Sequence, residues 1–443
     1  MGAIASTEPG PSRVLPGAKK ALMLLLAINL FNYIDRYILA AVLPKIRDTM
    51  LGDDPHADQK LGWLATAFLL SYMIASPIFG WLADRFSRWF LVGCGVILWS
   101  IASGESGRAD VFIVLLITRL FVGIGEAAYG PAAPTIISDL FPIEKRGQVM
   151  SWFYMAIPVG SALGYVWGGI LVESHSFSIF VPGWKSIAVE TSWRWAFYSV
   201  VIPGMLLGIL CFLMPDPRKQ AGAAKVERRR AKLSDYLRLL KTKSYVFNCL
   251  GMAALTFAIG GISHWMPTYI SKFRHAGELD RVNQIFGLIT VVTGISATLL
   301  GGIVGDRLRT RVRGAYFIVS AFGLAMGFPL FLLMLITPFP YAWIFVFLAE
   351  FFLFFNTGPS NTALANVSHP SVRASAFALN ILVIHALGDA ISPPIIGALT
   401  DYSGGNMNVG FAVVGAMMLV GSIFWWWGAR YLDGDTERAQ AMP

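Results

Sequence analysis

Four ionisable residues interrupt segments that are otherwise apolar. The run NLFNYIDRYILAAVLP carries Asp35 and Arg36, and ITRLFVGIGEAAYGPAAPTIISDLFP carries Arg119 and Glu126. A charge at the centre of a bilayer-crossing helix costs about 2.5–3.5 kcal/mol on insertion scales unless it is paired or faces a wet cavity. Arg119, Gly123 and Glu126 recur at intervals of four and three, so they share one helical face. Asp35 and Arg36 are adjacent, about 100° apart on a helix. One of them is expected to line a cavity while the other braces a neighbouring helix. Asn32 shares a face with Asp35, and Tyr33 and Tyr37 share one with Arg36, giving aromatic walls beside a cation.

The chemistry these residues offer is proton exchange and anion binding. A carboxylate that is alternately desolvated and paired with a guanidinium can take up and release a proton, which makes Asp35 and Glu126 the candidates for proton coupling. Arg36 and Arg119 can hold an anionic headgroup in a bidentate fork. In the second half of the chain the polar exceptions within apolar runs are His264, Glu350, Asn356, Asn361, Asn380, His385 and Asp389. His385 and Asp389 stand four apart on one face, where they serve either a buried structural pair or a substrate or proton site. Glu350 lies near the middle of its run. These three join Asn32, Tyr33, Arg36, Tyr37 and Arg119 as expected substrate contacts.

Other chemistries lack their residues. A membrane-embedded hydrolase or acyltransferase needs a nucleophile with its base or a clustered metal set, and neither HEXXH nor Gly-x-Ser-x-Gly occurs. Cys94, Cys211 and Cys249 fall inside apolar runs at spacings that suit neither a disulfide framework nor a metal site. No catalytic residue, metal or cofactor is therefore expected. The net charge of +9 comes without a basic patch interleaved with aromatics, which argues against nucleic acid.

The elements that must position these residues follow from composition. Of 443 residues only 14% are charged, against about 25% in soluble domains, and the mean hydropathy is +0.61. Apolar runs near 20–44, 60–84, 88–104, 110–140, 146–172, 193–214, 244–271, 283–305, 314–336, 340–368, 373–400 and 408–431 are each about the length that crosses ~30 Å of hydrocarbon. The expected architecture is an all-α membrane protein with twelve transmembrane helices. Alternate loops, counted with both termini, collect 24 of the 35 Lys and Arg, and the opposite side collects nine. The positive-inside rule puts both termini in the cytoplasm. No small-residue cleavage site follows a short hydrophobic core near the start, so the first segment is expected to remain as a helix.

The longest hydrophilic stretch, Pro215 to Ser244, carries ten basic residues and splits the spans six and six. Its end, Leu233 to Leu240, has the spacing of an amphipathic surface helix. The expected organisation is a cytoplasmic tail over 1–19, a six-helix bundle over 20–214, a basic linker over 215–243, a second six-helix bundle over 244–431 and a tail over 432–443. GWLADRFSR (Gly80–Arg88) closes the second span, and GGIVGDRLRTR (Gly301–Arg311) closes the eighth, six spans later. Two such parallel repeats are a known transporter plan, with the substrate site between the halves.

GWLADRFSR resembles the signature turn of the major facilitator superfamily, Gly-x-Leu-Ala-Asp-Arg-x-Gly-Arg-Arg/Lys, departing at Ser87 and Trp89. Arg119, Gly123 and Gly125 match a second signature of that superfamily. Gly160, Gly164 and Gly168, four apart after Pro158, are similar to a degenerate antiporter signature and equally suit close helix packing. NYIDRY, GIGEAAY and HALGDAISPPIIGALTD resemble the spinster transporters, a branch associated with lysophospholipids and sphingosine phosphate, here as a bacterial-type homologue.

The resemblance implies the major facilitator fold of two pseudo-symmetric six-helix bundles, alternating access and a monomer in a cell membrane, inner or plasma. It implies a conformational latch of Asp84, Arg85, Arg88 and Asp139, with Asp306, Arg307 and Arg311 as the counterpart in the second repeat. The expected cargo is a lipid-like or amphipathic, anionic solute moved with protons. Efflux of drugs or small organic anions is the alternative within transporters.

Overall fold

Among the described residues, twelve helices are long and apolar enough to cross a membrane. The computed structural model describes residues 14–173, 193–216, 239–368 and 373–441; within these, the side chains of Asp84 and of residues 143–148, 151, 173, 373–375 and 440–441 are not described. The twelve spans are α1 (Ala18–Ile46), α2 (Ala57–Arg85), α3 (Arg88–Arg108), α4 (Phe112–Tyr129, continued by Ala132–Leu140), α5 (Ile143–Glu173) and α6 (Trp193–Phe212), followed by α7 (Lys243–Thr268), α8 (Leu279–Leu308), α9 (Ala315–Ile336), α10 (Ala342–Phe354, continued by Thr357–Asn366), α11 (Arg373–Ile384, continued by Ser392–Tyr402) and α12 (Met407–Ala441). Most of the proposed linker, including 233–238 of its amphipathic stretch, lies outside the described residues.

Three runs that read as continuous are broken helices. In α4 the break falls at Gly130 and Pro131, and in α11 at the turn His385–Asp389, where Gly388 leaves the helical region (φ −112, ψ −108). Pro393 and Pro394 then start the second segment of α11 in its first turn, where a missing N–H costs nothing. The break in α10 precedes Pro359, which cannot donate to the Phe355 carbonyl. That carbonyl is pressed onto α8: a Cβ at Gly301 would meet it at 1.9 Å.

In the first half α1 packs on α5, α2 on α4, and α3 on both α4 and α6; in the second, α12 packs on α7 and α9, and α10 on α8 and α9. Small residues set the separations. A Cβ at Gly160 would lie 2.6 Å from Tyr33 Cβ, one at Gly164 2.7 Å from the Ile34 carbonyl and one at Gly168 2.6 Å from Ala41 Cβ. The three glycines thus bring the backbones of α5 and α1 together over their length.

The halves meet through α5 with α8, α2 with α11 and α1 with α7. Thr66 donates to the Ala390 carbonyl (2.5 Å), Tyr165 to Ser263 (2.5 Å) and Asn283 to Ala41 (3.1 Å), while Lys272 pairs with Asp48 (2.8 Å). Asp401 of α11 accepts from the backbone amides of Asp58 (3.2 Å) and Gln59 (2.8 Å) at the start of α2. There the backbones touch, since Cβ atoms at Gly62 and Gly397 would fall 2.5 Å from Pro394 and 2.3 Å from the Asp58 carbonyl. All these bonds lie toward the face opposite the chain ends. The cross-half hydrogen bonds named here therefore hold the two halves together at that face.

Candidate functional site

The central site begins with the 100° step between Asp35 and Arg36. Arg36 turns toward the space between the halves, with its side chain 25% exposed, and its Nη2 meets Glu126 Oε2 at 2.5 Å. Its guanidinium lies over three rings, Phe68 at 4.7 Å, Tyr33 at 5.0 Å and Tyr72 at 5.8 Å. Such stacking holds a cation without consuming its N–H donors. Glu126 is 1% exposed and its Oε1 has no hydrogen-bond partner; Asn32, also buried, lies beside it.

Asp35 turns the other way, into the first half. It accepts a short hydrogen bond from Ser103 of α3 at Oδ1, while Oδ2 has no partner. Arg119 is its electrostatic counterpart from α4, yet the two make no direct ion pair. Arg119 is 2% exposed, its Nε and Nη1 are unpartnered, and its guanidinium lies 5.7 Å from the Phe197 ring. Two opposite charges buried this deeply with unsatisfied atoms form a poised arrangement, because the field that holds each depends on the other. Gly123, between Arg119 and Glu126, is pressed on α2: a Cβ there would lie 2.2 Å from the Phe68 carbonyl.

The opposing wall comes from α11. His385 Nδ1 bonds Asp389 at 2.9 Å across the broken turn, both about one-fifth exposed. The Tyr72 ring meets the His385 ring edge-on at 6.4 Å and so stands between the Arg36 cluster and the second half. Glu350 of α10 is 5% exposed, receives the Thr290 hydroxyl at 3.2 and 3.3 Å and has Thr293 at 3.4 Å, both from α8. No cation pairs with it among the described residues.

Several expected partnerships differ. Tyr37 does not join the wall around Arg36; its ring meets Tyr165 of α5 (5.2 Å), which in turn meets Phe286 of α8 (5.0 Å), placing Tyr37 in the seam. The aromatic wall is completed instead by Phe68 and Tyr72, four apart on α2. As apolar-looking aromatics they give no signal distinct from core, and Ser103 likewise reads as a small packing residue.

At the terminal face Arg88 pairs with Asp139, both in the first half, and the side chain of Asp84 lies outside the described residues. Arg85 instead stacks on Trp81 at 3.6 Å. In the second repeat Asp306 accepts from Tyr316 (2.7 Å), while Arg307 and Arg311 make no ion pair among the described residues. Each of these contacts lies within one half.

Comparison with known proteins agrees with this fold. The Major Facilitator Superfamily model matches residues 25–393. The chain is 36% identical to "Protein spinster homolog 3" of Danio rerio over 400 residues, 86% of this chain and 76% of the relative. It is 33% identical over 393 residues to "Sphingosine-1-phosphate transporter SPNS2" of the same organism, covering 84% and 74%. Among solved structures, a bacterial homologue of the human lysosomal transporter spinster, in inward-facing and unoccupied conformation, superimposes with a TM-score of 0.81 at 20% identity over 95% of this chain and 98% of that one. A D-xylose–proton symporter shares the fold with a TM-score of 0.74 at 18% identity, over 91% and 96%.

Proposed function

Because the chain belongs to the major facilitator superfamily and, within it, to the spinster family, we propose that it moves an amphipathic, anionic lipid-like solute, of lysophospholipid or sphingoid type, by proton-coupled alternating access. The observation that carries this reading is the Arg36–Glu126 pair, in which a partly exposed guanidinium walled by aromatics meets a buried carboxylate. A phosphate entering from the terminal face competes with Glu126 for the Arg36 guanidinium. Once displaced, Glu126 is a carboxylate in an apolar setting, where protonation removes the cost of its charge. Binding of the anion and uptake of a proton thereby become one event, and Asp35 and Arg119 behind it respond to the changed field.

The second half contributes complementary chemistry. Glu350, with two threonines and no cation, and the His385–Asp389 pair suit the ammonium or hydroxyl groups of a sphingoid or lysolipid headgroup. The charge bias of the loops supports a reading in which both termini are cytoplasmic and the chain acts as a monomer in a cell membrane. The terminal-face turns, Asp84 to Arg88 with Asp139 and Asp306 to Arg311, act as the latch when the halves close on that side.

Uptake of labelled lysolipids into proteoliposomes, with and without a pH gradient, tests the proposal. Uptake that ignores the gradient and survives Glu126→Gln and Asp35→Asn refutes proton coupling at these residues. Preference for small organic anions over lysolipids refutes the lipid cargo.

A further inference from the structure

On the lipid-facing side of the second half, α9 and α12 enclose two cavities that share Trp426 and Arg430. The first, about 360 Å³, is bordered by Phe322, Ala325 and Ile423 among others and is nearly all apolar; its one hydroxyl, Ser422, is spent on the Ala321 carbonyl (2.8 Å). The second, about 650 Å³, adjoins it toward the terminal face and gathers Arg313, Arg430, Asp433 and Glu437. We propose that these two cavities form a single binding site for one phospholipid of the surrounding bilayer, bearing a zwitterionic headgroup with a primary amine, that is, a phosphatidylethanolamine.

Depth supports the assignment. α12 has 35 residues and begins at the far face with Met407. At about 1.5 Å per residue it crosses ~30 Å of hydrocarbon in roughly 20 residues. That puts the hydrocarbon boundary near Trp426 and Trp427, which are 64% and 52% exposed, as an interfacial aromatic belt requires. Arg430 then stands at phosphate level, and the apolar cavity lies beneath it among acyl chains.

Charge complementarity selects the headgroup. Neither Arg313 nor Arg430 makes an ion pair among the described residues, leaving two guanidinium forks free for one phosphate. Asp433 is engaged, its carboxylate accepting from the Gly314 amide (3.2 Å) at the start of α9. Glu437 is not: it has no ion pair among the described residues and lies two turns beyond Arg430, farther out along α12. A phosphate on the arginines with an amine beyond it therefore meets a carboxylate in the right order. A phosphatidylglycerol presents only hydroxyls to Glu437, and a phosphatidylcholine presents a quaternary ammonium with no N–H to donate.

Native mass spectrometry of the full-length protein, delipidated and then titrated with phosphatidylethanolamine, phosphatidylcholine or phosphatidylglycerol of matched chains, tests this. The expected result is one lipid retained at least tenfold more tightly for the ethanolamine headgroup. Arg313→Ala with Arg430→Ala abolishes that retained lipid, and Glu437→Gln brings the three lipids within about twofold of one another. Trp426→Ala weakens all three alike, and an unchanged elution profile and melting temperature show that each variant is folded. Equal retention of the three lipids by the wild type, or an unchanged preference in Glu437→Gln, overturns the proposal. So does displacement of the retained lipid by soluble phosphoethanolamine at concentrations comparable to the lipid's own, since that would make the apolar cavity irrelevant.

Discussion

Replacing Asp401 by Ala should shift the protein away from the state described here, by an amount that follows from its contacts. Asp401 belongs to α11 yet serves as the cap of α2: its two oxygens take the amides of Asp58 and Gln59, two of the donors that an N-terminus leaves unsatisfied. Losing a side-chain cap costs about 0.5–2 kcal/mol, and a carboxylate on a helix N-terminus adds about 0.3–1 kcal/mol. Against this stands repulsion from the neighbouring carboxylate of Asp58, which Arg47 partly neutralises at 3.1 Å. The net is about 1–2 kcal/mol, or roughly a 5- to 30-fold change in a population ratio.

Because the cap exists only while α2 and α11 touch, the whole effect falls on the equilibrium between states and little on folding within either half. Spin labels at Asp53 and Tyr402, both exposed at this face, report it by pulsed dipolar spectroscopy. The expected result is a new long-distance population in Asp401→Ala, smaller in Asp401→Asn, which keeps one acceptor. An unchanged distance distribution in Asp401→Ala would refute the claim that these bonds hold the face closed.

Gly301→Ala, whose Cβ would meet the Phe355 carbonyl at 1.9 Å, should lower thermal stability by about 1–3 kcal/mol, whereas Gly302→Ala, with nothing within 4 Å, should be neutral or stabilising by up to about 1 kcal/mol; melting in detergent compares the two. Glu126→Gln leaves Arg36 without its counter-charge, and since Arg36 is partly exposed the loss should be about 1–2 kcal/mol, below the 3–5 kcal/mol typical of fully buried pairs, with gradient-driven uptake abolished. Glu350→Gln keeps an acceptor for Thr290 and should preserve the melting temperature while weakening binding of amine-bearing lysolipids about tenfold, measured by competition. The Lys60 ammonium beside Asp54 holds that carboxyl below the usual carboxylate range, so the pair's contribution is present at neutral pH and lost as pH falls through the lowered value. The carboxyl chemical shift of Asp54 should show that depressed midpoint, and Lys60→Gln should raise it only part of the way, because the His56 amide still donates to the carboxylate (2.9 Å).

Hydropathy was enough to find the twelve spans because each must satisfy the same ~30 Å constraint on its own. The importance of Asp35, Arg36, Arg119 and Glu126 was legible for a related reason, since a charge in a bilayer must be paired or wetted, but which of them meet was not. The breaks in α10 and α11 were not legible, since the carbonyl freed at Phe355 is accommodated by Gly301 fifty-four residues earlier, a tertiary match that no local pattern records. Tyr72 and Phe68 were hidden for the opposite reason, aromatic residues in an apolar helix being indistinguishable from packing until a cation is seen beneath them. Asp401 gave no signal in the sequence, because its partners are backbone amides and carry no side-chain signature.

The glycine contacts between α5 and α1 have a mechanical consequence. With Gly160, Gly164 and Gly168 removing the clearance between the two helices, neither can slide without carrying the other, and they behave as one stiff beam. Along that beam are mounted both Arg36, which faces the cargo, and Tyr165, which grips the opposite half through Ser263. A tilt of the beam about the seam is therefore also a displacement of the cation relative to Glu126 on α4. Load and fulcrum sit on one part, so a small rotation at the seam registers as a change in the separation of two charges.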